Sequence, residues 1–239
     1  MEVINFLLGY NDLRIVQDSD MFCFSLDSVL LPQFVTINLK EKKILDIGCG
    51  NAPMPLILST RTKAKITGVE IQKEIFELAK KTIEINNKKD QIEIIHGDIK
   101  ELYKDWESDC FDVIVCNPPF FKLNKHSRLN ISDQRKLARH EITLKLEDIM
   151  IVSKKLLKNN GTLAIVHRPE RLIDIITLMR ENNIEPKKIQ FVYPKVGCEA
   201  NILLIEGRKN GKPGLKILHP LITHNNDGSY SDEIKKYFE

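Results

Sequence analysis

Four short apolar runs, each closing on a residue suited to hold a small polar molecule, constrain this 239-residue chain most. Residues 44–47 lead into Gly48-Cys49-Gly50, 65–69 end at Glu70, 92–95 precede Gly97-Asp98, and 112–116 run into Asn117-Pro118-Pro119-Phe120. Between the first two runs, Pro53 and Pro55 suit the first turn of a helix. Between the second and third, 72–86 carry Ile75, Leu78, Ala79, Ile83 and Ile85 close to helical spacing. Downstream, 144–157 read as a helix stopping near Asn160-Gly161, followed by a fifth strand over 162–166 and a helix over 171–182. Two last strands are expected at 189–193 and 201–206. Strands alternating with helices predict an α/β fold, a mostly parallel sheet with helices on both faces. No internal repeat, low-complexity tract or linker interrupts the pattern, so one domain over 1–239 is expected, with a short N-terminal extension over about 1–35.

Composition is consistent with this. A hydrophobic content of 42% in 239 residues suffices for one large core. No apolar run reaches membrane-spanning length, and Met1-Glu2-Val3-Ile4-Asn5 is not a basic region before an apolar stretch, so neither a membrane partner nor secretion is expected and the cytoplasm is. Cys23, Cys49, Cys110, Cys116 and Cys198 are odd in number and form no C-x-x-C pair. They read as reduced, mostly buried thiols, with no metal site and no disulfide frame.

In such a sheet, ligands bind outside the carboxyl ends of the strands. Asp46-Ile47-Gly48-Cys49-Gly50 ends the first strand, where Gly48 and Gly50 let backbone pass close to a ligand. Glu70, about 20 residues on, can accept hydrogen bonds from ribose hydroxyls. Asp98 can accept from an adenine amino group. Asp27 is a further cofactor candidate, with a helix N-cap as its structural alternative. Each of the others also has a plain alternative: a turn glycine, a helix-capping acid, a solvated acid. A dinucleotide would use a similar glycine turn and distal acid, but the third glycine of G-x-G-x-x-G is Pro53 here. That glycine normally permits tight helix–strand packing beside a pyrophosphate. S-adenosylmethionine, with a ribose and an adenine but no pyrophosphate, fits better.

Asn117-Pro118-Pro119-Phe120 adds the chemistry. Asn and Pro are ordinary turn residues, and a turn closing a strand is the plain reading. A carboxamide, a rigid carbonyl and a ring at a sheet edge can also hold a planar exocyclic amine and aim its lone pair. The tetrapeptide resembles motif IV of the amino-methyltransferases, which methylate adenine N6, guanine N2 or a glutamine side chain. Directly afterwards, residues 121–140 hold Lys122, Lys125, Arg128, Arg135, Lys136 and Arg139 against the single acid Asp133. That segment is net +5 and leaves −2 for the rest of a chain whose net charge is +3. A charge run is usually a solvated face. Beside a site that handles a nucleobase, it is expected to contact RNA phosphates.

A longer ordered set is more specific. Asp27-Ser28-Val29-Leu30-Leu31, Asp46-Ile47-Gly48-Cys49-Gly50, Glu70, Gly97-Asp98, Asn117-Pro118-Pro119-Phe120-Phe121, Ala138-Arg139-His140-Glu141 and His167-Arg168-Pro169-Glu170-Arg171-Leu172 resemble the bacterial tRNA(Val) adenine-37 N6-methyltransferase family, and Gly228-Ser229-Tyr230-Ser231-Asp232-Glu233-Ile234 agrees. The likeness runs from about Leu13 to near the C-terminus. It implies a class I methyltransferase fold with seven strands, the last antiparallel, S-adenosylmethionine as cofactor, and a substrate adenine beside the tRNA anticodon. By the same resemblance Asn117, Pro118, Pro119 and Phe120 are the catalytic group, and Asp46 and Asn117 also belong to the cofactor-binding set with Asp27, Gly48, Gly50, Glu70 and Asp98. A guanine N2 RNA methyltransferase shares the tetrapeptide. A protein glutamine N5-methyltransferase does too, but more often has Tyr as the aromatic and a separate N-terminal domain. A non-catalytic RNA-binding relic of the fold would not be expected to keep Glu70, Asp98 and Asn117 together.

Overall fold

The computed structural model describes residues 1–18, 25–38, 40–118 and 144–236. The chain opens with an antiparallel hairpin, β1 (Glu2–Leu7) and β2 (Tyr10–Asp18), followed by α1 (Asp27–Phe34). Then come β3 (Lys43–Ile47), α2 (Pro53–Arg61), β4 (Lys65–Glu70), α3 (Lys73–Ile85), β5 (Ile92–His96), α4 (Ile99–Asp105) and β6 (Phe111–Cys116). The second half contains α5 (Leu146–Leu156), β7 (Leu157–His167), a 3-10 turn at Pro169–Arg171, α6 (Leu172–Glu181), β8 (Ile184–Tyr193) and β9 (Ile202–Lys209). Two short strands, β10 (Lys216–Ile217) and β11 (Leu221–Ile222), and a last turn of helix, α7 (Asp232–Lys235), complete it.

The central sheet runs β8-β9-β7-β6-β3-β4-β5, with β10 and β11 added along the outer edge of β8. Every pairing from β7 to β5 is parallel, and β9 is antiparallel to both neighbours. This is the seven-stranded class I methyltransferase frame, extended by two two-residue strands. The order reverses at β3, where β4 and β6 flank it on opposite sides, so the carboxyl ends of β3 and β6 border a topological switch point.

Two-residue periodicity divides the core into two layers. Ile44, Val113, Val115, Ala164 and Val166 face one layer with α1, α2 and α3, and Leu45, Ile47, Ile114, Cys116, Leu163 and Ile165 face the other with α5 and α6. Asp46 shares the parity of Ile44, so its carboxyl is directed to the first, apolar layer. In α2, Leu56, Ile57 and Leu58 are all fully buried, each contributing about 1.5–3 kcal/mol of hydrophobic stabilisation. Among the described residues no helix is long and apolar enough to cross a membrane.

One expectation changes. The helix expected over 144–157 ends at Leu156, and β7 begins at Leu157 with no loop between them. Asn160-Gly161 is therefore not a helix stop. It lies in β7 where the pairing jumps from Phe111↔Leu157 to Val113↔Thr162, with Asn160 at φ +60°. Such a bulge suits the same residue types as a helix end. The stretch before residue 35 is structured by more than α1. The Val16 N–H donates to the Thr82 hydroxyl at 3.0 Å, and Asn86 bonds both the N–H and the carbonyl of Arg14, which seats the hairpin on α3.

Candidate functional site

The first strand ends in a sharply folded turn. Gly48 (φ +72°) and Gly50 (φ +57°) adopt left-handed conformations that glycine takes without steric cost, and the Gly48 and Cys49 N–H groups both bond the Val69 carbonyl, at 2.9 and 3.0 Å. A Cβ on either glycine would meet nothing within 4 Å, so the turn faces open space. Ala52 is also left-handed (φ +71°), and nothing in the sequence flags it, since alanine has no preference for that region. Pro53 follows at the first position of α2 as expected.

Glu70 holds the neighbouring strand ends together. It is 5% exposed; its Oε2 accepts the Gly50 N–H at 3.0 Å and its Oε1 the Gln72 N–H at 2.8 Å. Its own carbonyl accepts the Gly97 N–H at 3.0 Å. A carboxylate oxygen can accept two bonds, so both keep capacity for a ligand hydroxyl. Asp98 caps α4: its Oδ1 accepts the Lys100 N–H at 2.9 Å, and the Lys100 ammonium lies 3.5 Å from its Oδ2. Its capping alternative is thus occupied, with the carboxylate still part-exposed at the strand ends.

Asp46 lies beneath the turn. It is fully buried, and among the described residues neither carboxylate oxygen has a hydrogen-bond partner. Burial, and secondarily the charge of Glu70, push its pKa well above the usual carboxylate value. The Cys49 and Cys116 thiols are raised as well, chiefly by burial and then by the charge of Asp46. An orphaned buried carboxyl costs about 1–3 kcal/mol, which marks a place where a partner belongs.

On the other side of β3, β6 delivers Asn117 and the buried Pro118. The Asn117 Nδ2 donates to the Ser28 hydroxyl in α1 at 3.1 Å, a contact the sequence reading did not anticipate. Leu26, not Asp27, occupies the N-cap of α1, and Asp27 sits in its first turn. The Asp27 pKa is raised, mainly by burial, against the opposing pull of the Ser25 hydroxyl and the Arg168 guanidinium. Arg168 leaves the end of β7 and donates to the Asn201 carbonyl at 2.8 Å. His167 is 4% exposed, with its pKa lowered to about 4 by burial first and by Arg171 next.

The structure thus joins Gly50, Glu70 and Gly97 directly, bonds Gly48 to the adjacent Val69, places Asp98 directly after Gly97 and Asp46 two residues before the turn, and ties Asn117 to the start of α1. Pro119, Phe120, Lys122, Lys125, Arg128, Arg135, Lys136 and Arg139 lie outside the described residues. Among the cysteines, Cys49 and Cys116 are buried, Cys110 is intermediate, Cys198 is exposed, and Cys23 is outside the described residues. Among the described residues no cluster of three His, Cys, Asp or Glu is placed to hold a metal ion.

Comparison with known proteins matches this arrangement. The methyltransferase small domain profile fits residues 12–182. The tRNA1(Val) (adenine(37)-N6)-methyltransferase of Flavobacterium psychrophilum is 30% identical over 217 residues, covering 84% of this chain and 91% of that protein. The protein of that name from Parabacteroides distasonis is 31% identical over 181 residues, covering 75% of this chain and 74% of its own. The crystal structure of a predicted O-methyltransferase from Agrobacterium tumefaciens superposes with a TM-score of 0.70 at 20% identity, over 89% of this chain and 95% of that one, which is a likeness of fold. The chain therefore belongs to the methyltransferase small domain family and, within it, to the family of the tRNA1(Val) (adenine(37)-N6)-methyltransferases.

Proposed function

We propose that this protein uses S-adenosylmethionine to methylate N6 of adenine 37 in the anticodon loop of tRNA1(Val). The observation that carries this reading is the position of Asn117-Pro118. A carboxamide and a rigid carbonyl end β6 at the switch point, one strand from the glycine turn, in a chain whose relatives bear that name.

The site's own features fit the cofactor. The open face of Gly48 and Gly50 offers backbone at close range, Glu70 has acceptor capacity for ribose hydroxyls, and Asp98 can take an adenine amino group. Asp46 supplies an unpartnered carboxyl below the turn and Asp27 a second acid at the edge. When bound, S-adenosylmethionine supplies a methyl group activated by a sulfonium. The residues of the chain then have to present the amine. The lone pair of adenine N6 is delocalised into the ring, so the amine is a weak nucleophile. In this reading the Asn117 Oδ1 and the Pro118 carbonyl accept its two N–H groups and favour a pyramidal nitrogen with its lone pair aimed outward. Transfer would break the methyl C–S bond of the sulfonium, leave S-adenosylhomocysteine and free one proton from the nitrogen to water, so neither acceptor needs to be a strong base. Positioning in a site made of fixed dipoles supplies most of the rate. Pro118 and Pro119 hold the backbone so that little ordering is left for binding, and Phe120 stacks on the base, worth about 1–3 kcal/mol. A loop adenine is already partly unstacked and costs less to extrude than a paired one.

The test is nucleoside mass spectrometry of tRNA incubated with the enzyme and cofactor labelled in the methyl group. Label in N6-methyladenosine, lost when adenine 37 is replaced by guanine in the transcript, is the expected result. Label in N2-methylguanosine, or none in tRNA and label in a protein glutamine, overturns it.

A further inference from the structure

Ser28 sits in the first turn of α1 and is 7% exposed, next to Val29, Leu30 and Leu31, which are fully buried. A hydroxyl in such surroundings needs a partner. Its partner comes from 89 residues away: the Asn117 Nδ2, at 3.1 Å. The two ends of a carboxamide diverge from one carbon, so committing the nitrogen to Ser28 turns the oxygen away from α1.

The helix that carries Ser28 is itself pinned. Beyond its last turn, the Lys188 ammonium donates to the Phe34 carbonyl at 2.6 Å and to the Thr36 hydroxyl at 2.9 Å, and the nearly buried Glu206 accepts the Thr36 N–H at 2.7 Å. Arg61 donates to the carbonyls of Pro32 and Val35. The Lys188–Glu206 pair, 3.1 Å apart, links this clamp to β8 and β9. Ser28 is therefore held by the sheet, and Asn117 ends a sheet strand, so both members of the pair are fixed on one scaffold.

We infer that Ser28 is a positioning residue, whose hydroxyl accepts from the Asn117 amide nitrogen and thereby selects the rotamer that offers the carboxamide oxygen to the substrate amine. The inference rests on the proposed role of Asn117. An amide turned the other way presents donors to a donor, which repels the amine it should hold. In the absence of Ser28, both orientations compete, and only one is productive. Enzymes place such supporting contacts behind the group that touches substrate, because small losses of orientation cost rate without costing binding.

The experiment compares full-length wild type, Ser28→Ala, Ser28→Thr and Asn117→Ala by single-turnover methylation of tRNA at saturating cofactor. It adds calorimetry of S-adenosylmethionine and the 15N side-chain amide signal of Asn117, assigned by its loss in Asn117→Asp. Ser28→Ala is expected to lower the single-turnover rate by about tenfold, the size of one net hydrogen bond, with cofactor Kd and tRNA KM within about twofold. Ser28→Thr keeps the hydroxyl and is expected to restore most of the rate. In Ser28→Ala the Asn117 amide signal is expected to shift and its proton exchange to quicken. An unmoved amide signal, or a Ser28→Ala rate within about twofold of wild type while Asn117→Ala is dead, overturns the inference and leaves the reading of Asn117 intact. A fully active Asn117→Ala overturns that reading itself. Loss of rate in step with cofactor affinity, without rescue by Ser28→Thr, makes Ser28 a structural residue and also overturns the inference. Adding Ser28→Ala to Asn117→Ala is expected to cost nothing more, because the hydroxyl acts through the carboxamide.

Discussion

Glu70 accepts the Gly50 N–H through Oε2 at 3.0 Å, across twenty residues of chain. With the Gln72 N–H on Oε1 and the Gly97 N–H on its carbonyl, this one residue ties the carboxyl ends of β3, β4 and β5. The acid proposed to bind ribose thus also preorganises the turn that the cofactor would approach. Glu70→Gln replaces one acceptor by a donor, facing an N–H that is itself a donor. Calorimetry is expected to show S-adenosylmethionine affinity reduced by about tenfold or more, since an unsatisfied buried donor costs about 1–3 kcal/mol. Unchanged affinity would remove Glu70 from the cofactor site.

Asp98 offers a way to separate two jobs. Its Oδ1 caps α4, and serine caps helices nearly as well as aspartate. Asp98→Ser is therefore expected to hold thermal stability within about 0.5 kcal/mol while cofactor affinity falls about tenfold, because the carboxylate proposed to meet the adenine amino group is gone. Equal affinity in Asp98→Ser and wild type would leave the residue with its capping role alone.

Asp46 makes a prediction about pH. Its pKa is raised in the folded protein by burial and by Glu70, so the native state binds this proton more tightly than the unfolded chain does. The stabilising side of that linkage is fully present below the unfolded pKa, about 3.9, and is lost as pH rises towards the folded value. Asp46→Asn has no proton to lose. Its melting temperature relative to wild type is expected to rise from pH 4 to pH 7, because wild type loses linked stability over that range and the variant does not. Cofactor affinity should fall in the same variant, as happens when a destabilising group is retained for function. A difference in melting temperature that stays constant from pH 4 to pH 7 would mean that the carboxyl's pKa is not raised.

What the sequence made legible followed from local chemistry. The four strand ends were readable because strand termination, glycine turns and acids are encoded within a few residues, as at Ile47-Gly48 or Val69-Glu70. The features that stayed hidden depend on tertiary partners. Asn160-Gly161 carries the same signal for a helix stop and a bulge, and only the pairing of β7 with β6 decides. The short α4 has too few apolar positions to show a period, and in β1 the apolar Ile4 and Phe6 point outward, which blurs alternation. The Ser28–Asn117 contact joins residues with no local relation at all. The capping of α4 by Asp98 was readable in kind but not in outcome, since a carboxylate before a helix serves the helix and a ligand equally well in sequence.

The last prediction concerns the basic stretch 121–140, net +5 in a chain otherwise −2, which follows Asn117-Pro118-Pro119-Phe120 directly in sequence. If Lys122, Lys125, Arg128, Arg135, Lys136 and Arg139 contact the phosphates of the anticodon arm, they position the substrate without reading its bases. Each contact releases counterions on binding, so affinity depends on salt with a slope of roughly 0.7–0.9 per phosphate neutralised. Changing Lys122, Lys125 and Arg128 together to Glu is expected to weaken tRNA binding and flatten the plot of log affinity against log salt by roughly two to three units of slope. S-adenosylmethionine affinity should stay at the wild-type value, because the acids and glycines proposed to hold it lie on β3, β4 and the β5–α4 connection. Filter binding over a salt series, beside calorimetry of the cofactor, measures both. Unaltered affinity and slope would make the stretch a solvated surface, and a parallel loss of cofactor binding would mean that the substitutions had disturbed the strand ends themselves.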